Sequence, residues 1–60
     1  MKIKQLREKA GLTQAALSEA IGTTQPCVAG WEAETSVPRT EKLPKLAEVL
    51  GCSIDELFED

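Results

Sequence analysis

Only Gly22, Thr23 and Thr24 separate two stretches in which apolar residues recur at helical spacing. Upstream, Ala16, Leu17, Ala20 and Ile21 form one stripe; downstream, Val28 and Trp31 stand at i and i+3. The link is too short to let two helices run side by side over any length. They must cross steeply, and the rest of the chain has to pack around that crossing.

The remaining segments have the same short period. Ile3, Leu6 and Ala10 lie on one face of a first helix, about Lys2 to Ala10, which Gly11 ends. Thr13 is the expected N-cap of the second, Gln14 to Ile21, with Leu12 and Leu17 spaced as a hydrophobic staple and Gly22 as its stop. Thr24 is the expected N-cap of the third, about 25–33, where Pro26 sits in a first turn that has no need of its missing N–H. The stretch "AETSVPR" reads as a loop. Leu43, Leu46, Ala47 and Leu50 then mark a fourth helix, ended by Gly51, whose N-cap is Thr40 or a residue or two later, since Pro44 belongs in its first turn. In "SIDE", Ser53 and Glu56 have capping-box spacing, with Cys52 and Leu57 as a staple. No alternating run rich in β-branched residues suggests a strand. The expectation is an all-α, compact five-helix orthogonal bundle.

Sixty residues make one domain at most, read here as a single domain over 1–60, and folding at that size removes only about 60% of the unfolded chain's surface from water. Hydrophobic residues are 42% of the chain, so the expected core is aliphatic, packed around Trp31 and Phe58. Cys27 and Cys52 have neither C-x-x-C spacing nor any His to work with, and both read as buried thiols in a reducing cytoplasm. No metal, cofactor or small-molecule effector site is expected. The basic start has no apolar run behind it, which argues against a secretory signal, and nothing reaches the length of a membrane span; a cytoplasmic protein follows.

The net charge of -3 does not by itself suggest a nucleic-acid partner, but its distribution matters more. Lys2, Lys4, Arg7 and Lys9 lie at the front and Arg39, Lys42 and Lys45 follow Pro38; between Ala10 and Pro38 the only charges are Glu19, Glu32 and Glu34. Positive charge flanks an uncharged centre.

Two helices joined by a short glycine-containing link make a helix-turn-helix, in which Ser18 is small where the third helix must approach. With "LREKAGLTQAALSEAIGTTQPCVAGWE" followed by "VPRTEKLPKLAEVLGCSIDELF", nearly the whole chain resembles the Cro/repressor-type, or xenobiotic-response-element-like, helix-turn-helix domains of lambdoid phage repressors. The resemblance implies a DNA-binding transcriptional regulator acting on double-stranded DNA as a homodimer.

It also implies roles residue by residue. Gln14 matches a glutamine that bonds a DNA phosphate, and Thr24, Gln25, Pro26, Ala29 and Gly30 match positions that reach base edges in the major groove. The Gln25 amide suits adenine N6 and N7, and Pro26 offers an apolar surface to a thymine methyl. Arg39, Thr40 and Lys42 match a segment along the phosphate backbone. Arg7 and Glu32 match a buried ion pair with a structural role. Leu57 and Phe58 either cap the core or meet their counterparts in a symmetric dimer; the expectation places Phe58 in the core beside a small dimer contact. Gly30 departs from the family, which often places a long polar side chain there, and leaves direct readout mostly to Gln25.

A rival reading uses the same bundle as a protein-interaction module, an antitoxin-like or dimerisation unit, with the small-residue face of Ala29, Gly30 and Ala33 against another protein. An enzyme is the weakest reading: no His, no paired carboxylates with reason to be buried and no phosphate-cradling loop provide a starting arrangement.

Overall fold

The computed structural model describes residues 1–58, in which five α-helices and one 3₁₀ turn follow one another without a strand. They are α1 (Ile3–Lys9), α2 (Gln14–Ile21), α3 (Gln25–Glu32), the 3₁₀ turn Thr40–Lys42, α4 (Leu43–Leu50) and α5 (Ile54–Phe58). No helix exceeds 8 residues and the molecule measures 23 × 23 × 20 Å, so the helices cross around one centre instead of forming a long bundle. That centre is built from Ile3, Leu17, Ile21, Val28, Trp31, Leu46, Ala47, Leu50 and Leu57, at least one from every helix. None of these helices is long and apolar enough to cross a membrane.

Local signals fix where each helix begins and ends. The Thr13 hydroxyl accepts the Ala16 N–H at 3.0 Å, while Leu17 is fully buried and Leu12 packs against the same core, the burial that staple spacing predicts. Ser53 and Glu56 complete a capping box: the Glu56 N–H donates to Ser53 Oγ and the Ser53 N–H to Glu56 Oε1, both at 3.2 Å. At the end of α2, Gly22 takes φ 73°, and the Thr23 N–H returns to the Ser18 carbonyl at 2.9 Å. Ser18 itself is buried with its hydroxyl donated to the Ala15 carbonyl, leaving a small, satisfied surface at the helix crossing.

The end of α3 uses the same geometry without a glycine. The Thr35 N–H donates to the Gly30 carbonyl at 3.0 Å and the Glu34 N–H to that of Trp31 at 3.3 Å, a Schellman arrangement that places Glu34 at φ 62°. A side chain in that region costs roughly 1–2 kcal/mol. The Glu34 carboxylate lies 3.6 Å from the Met1 amino group, but the side chain is largely exposed and the pair contributes little. Glu34→Gly is therefore expected to raise stability by about 1 kcal/mol, read as a higher urea midpoint with an unchanged slope. A lower midpoint would mean that the carboxylate, not the backbone, governs this position.

Three expectations about burial need correction. Phe58 is 57% exposed, and Trp31 is the aromatic side chain of the core. A helix as short as α5 buries one side only; Leu57 takes it at 0% exposure, and the next residue points about 100° away. Of the two readings kept open for this pair, Leu57 thus takes the core-capping one and Phe58 is the side chain that protrudes. Cys27 is also exposed. It shares the Trp31 side of α3 but lies one turn nearer the N-terminus, where it lines an open groove; Cys52 is half-buried.

Candidate nucleic-acid interface

Gln14 opens α2 and Gln25 opens α3, and the crossing of the two helices brings these side chains within hydrogen-bond reach. The exposed Gln25 donates from Nε2 to Gln14 Oε1 at 2.8 Å. Gln14 in turn donates from Nε2 to Glu32 Oε1 at 3.0 Å. Glu32 closes α3 and is held by Arg7 of α1, with Nε at 2.6 Å from Oε2 and Nη2 at 3.2 Å from Oε1. The remaining Arg7 Nη1 donates to the Leu12 carbonyl at 2.7 Å. Four side chains from three helices thus form one hydrogen-bonded chain that runs from a covered ion pair to the surface.

The ion pair is well removed from water, with side-chain exposures of 12% for Arg7 and 6% for Glu32. Burial alone would raise the Glu32 pKa. The hydrogen bonds from Arg7 and Gln14, with the charges of Arg7 and Lys4, outweigh it and hold the carboxyl below its ordinary 4.5. Arg7 is shifted upward, first by its hydrogen bond to Glu32, and stays charged. Because the folded state depresses the Glu32 pKa, its stabilising contribution is complete above about pH 4.5 and is lost as the pH falls through the folded value. Melting temperatures recorded downward from pH 7 should therefore drop below about pH 4.5, and Glu32→Gln should lack that component of the drop.

Thr24, Gln25 and Pro26 lie exposed on the N-terminal end of α3. Thr24 has extended N-cap geometry, but its hydroxyl caps nothing, and its carbonyl receives the Cys27 N–H at 3.1 Å. Ala29 is half-buried. Gly30 does not present a bare surface. Its carbonyl accepts from the Thr35 and Ser36 N–H groups and from the Thr35 hydroxyl, and a Cβ there would stand 2.8 Å from Ser36 Oγ. The loop after α3 lies over this part of the helix, so the exposed hydroxyl residues Thr35 and Ser36 occupy the space that helix periodicity assigned to Gly30. The one sequence signal for them was Gly30 itself, a residue that permits close approach.

Arg39 precedes the 3₁₀ turn, Thr40 opens it and Lys42 leads into α4, whose first turn contains Pro44. Arg39 and Lys42 share the open groove with Thr23, Thr24 and Cys27, and Trp31 also borders it. The fold thus brings Arg39 and Lys42 of the downstream basic block beside the start of α3, although the two are apart in sequence. At Cys27, hydrogen bonding to Thr24 and Thr23 lowers the thiol pKa, whereas burial raises that of Cys52. Among the described residues no group of three or more His, Cys, Asp or Glu is placed to hold a metal ion.

The same order of helices is found in known proteins. A helix-turn-helix family model matches residues 3–57. Among solved structures, the P22 c2 repressor protein, crystallised in complex with the synthetic operator 9T, superposes with a TM-score of 0.90 at 33% sequence identity, covering 97% of this chain and 88% of that one. With the family model spanning nearly every described residue and the turn, caps and core in place, the chain belongs to the Cro/repressor-type helix-turn-helix family.

Proposed function

We propose that this chain is a transcriptional regulator that binds double-stranded DNA, laying α3 in the major groove with Gln25 as its main base-reading side chain. The observation that carries the proposal is the position of Gln25: exposed at the leading end of α3, tied to Gln14 at its neck, with Arg39 and Lys42 grouped beside the same helix end. Kinship with a repressor crystallised on a synthetic operator supports the choice of ligand. Gln14 gives one Nε2 hydrogen to Glu32 and keeps a second for a phosphate oxygen. Pro26 meets a thymine methyl, Thr24 lies within reach of a base edge or phosphate, and Arg39, Thr40 and Lys42 follow the backbone.

We further propose that it binds as a homodimer to half-sites about 34 Å apart, the spacing of one helical turn. Phe58, exposed on α5 near the partly exposed Ile54, supplies the contact between copies. The rival use of Ala29, Gly30 and Ala33 as a protein-docking face is weakened by the loop residues lying against Gly30.

Selection of bound sites from random duplex at two salt concentrations tests the proposal. Affinity should fall steeply with salt, and selected sites should show paired half-sites. Arg39→Ala should weaken binding to all sequences alike and reduce the salt slope by about 1. Specific binding indifferent to salt would sink the proposal.

A further inference from the structure

We infer that Glu32, which lies inside the fold and meets no DNA, is a specificity-determining residue: through Gln14 it fixes which way the Gln25 amide faces and so makes Gln25 a reader of adenine. This rests on the DNA-binding reading above. The physical basis is the direction of the chain of bonds. An ionised carboxylate only accepts hydrogen bonds, whereas a glutamine amide donates from one end and accepts at the other. Arg7 keeps Glu32 ionised and bidentately held, so Gln14 must turn its NH₂ toward Glu32 Oε1. Its carbonyl oxygen is then directed to Gln25, which must answer with its own NH₂. One choice at the ion pair therefore propagates through two amides to the surface.

Gln25 is left with one N–H and its carbonyl oxygen, in a fixed order. Adenine presents a matching acceptor at N7 and donor at N6. A glutamine free to flip offers either order, matching adenine half the time and other base edges the rest. Held in one order, it meets adenine without losing rotamer freedom on binding and rejects edges that need the reverse. Glu32 is thus a positioning residue that acts through Gln14.

The test compares the wild type with three variants on duplexes that differ only at the base read by Gln25. Arg7→Met/Glu32→Gln removes the obligate acceptor without orphaning a buried charge. Gln14→Leu cuts the chain with the ion pair intact. Arg7→Lys disturbs the ion pair but keeps the carboxylate. The wild type should prefer adenine by about tenfold or more, and the first two variants should lose most of that factor. Arg7→Lys should keep it even where its melting temperature falls, which separates positioning from general destabilisation. Gln14→Leu also removes the proposed phosphate contact, so affinity ratios, not absolute affinities, are compared. In DNA-free protein, the Gln25 side-chain NH₂ resonances should move toward those of a free glutamine in the first two variants and stay in place in Arg7→Lys.

A wild type with no base preference would overturn both this role and the base-reading assignment to Gln25. Variants that keep the adenine preference, or leave the Gln25 resonances unmoved, would overturn the role of Glu32 alone.

Discussion

Glu32→Ala is expected to lower the stability of this domain by about 3–5 kcal/mol, enough to leave much of it unfolded at 25 °C. The size of the effect follows from what remains. Arg7 stays positively charged in a site where 12% of its side chain meets water, without the carboxylate that had satisfied two of its nitrogens. Gln14 loses the acceptor for its amide as well. A small domain rarely has more than about 3–5 kcal/mol in total, so one uncompensated charge consumes most of it. Far-UV circular dichroism with urea titration reads the loss directly. The companion variant Arg7→Met/Glu32→Leu should recover most of it, because exchanging a whole buried ion pair for apolar side chains is often neutral or stabilising. A single substitution costing under about 1 kcal/mol would mean that water reaches Arg7 in solution and that the pair acts as a surface one.

Gln25→Ala should abolish most of the base preference while leaving the fold and the non-specific affinity intact. Gln25 is exposed, and its bond to Gln14 lies at the surface, so its removal changes folding stability by no more than a few tenths of a kcal/mol. A bidentate amide–adenine pair discriminates by roughly 1–3 kcal/mol, and no other exposed residue at the start of α3 carries a comparable donor and acceptor together. Fluorescence anisotropy on the preferred site and on a scrambled duplex should show the two affinities converging, with the salt slope preserved. Retention of the preference would shift readout to Pro26, Thr24 or the shape of the DNA.

Most of the helical frame is legible in the residues because it is set by short-range rules. Thr13, the Leu12–Leu17 staple, Gly22 and the Ser53–Glu56 box each act over four or five residues, and each formed where the sequence placed it. The start of the fourth helix is not sharply marked in the residues because a 3₁₀ turn runs into it and no side chain caps it. Structure and sequence part where burial depends on distant partners. Periodicity on five residues of α5 could not tell which of Leu57 and Phe58 turns inward, and nothing near Cys27 reveals that packing stops one turn short of it. The stop at Glu34 was hidden because the motif there lacks its usual glycine, and with it went the return of Thr35 and Ser36 over Gly30. At the candidate site the resemblance supplied the residues. The bond between Gln14 and Gln25, and the link from Gln14 to Glu32, were visible only once three helices were in place.

The α2–α3 crossing forms from near neighbours in the chain, the kind of contact that helical proteins close within microseconds to milliseconds. The Lys2 N–H bond to the Leu57 carbonyl, 2.9 Å long, instead spans almost the whole described chain. Its closure entropy is the largest among the backbone bonds, so it belongs late in folding, after the centre has condensed. In the native state it ties the entry to α1 to α5, so it must break when α5 lifts away. Hydrogen exchange at the Lys2 amide would then report the opening of the C-terminal helix while the helix-turn-helix pair stays closed.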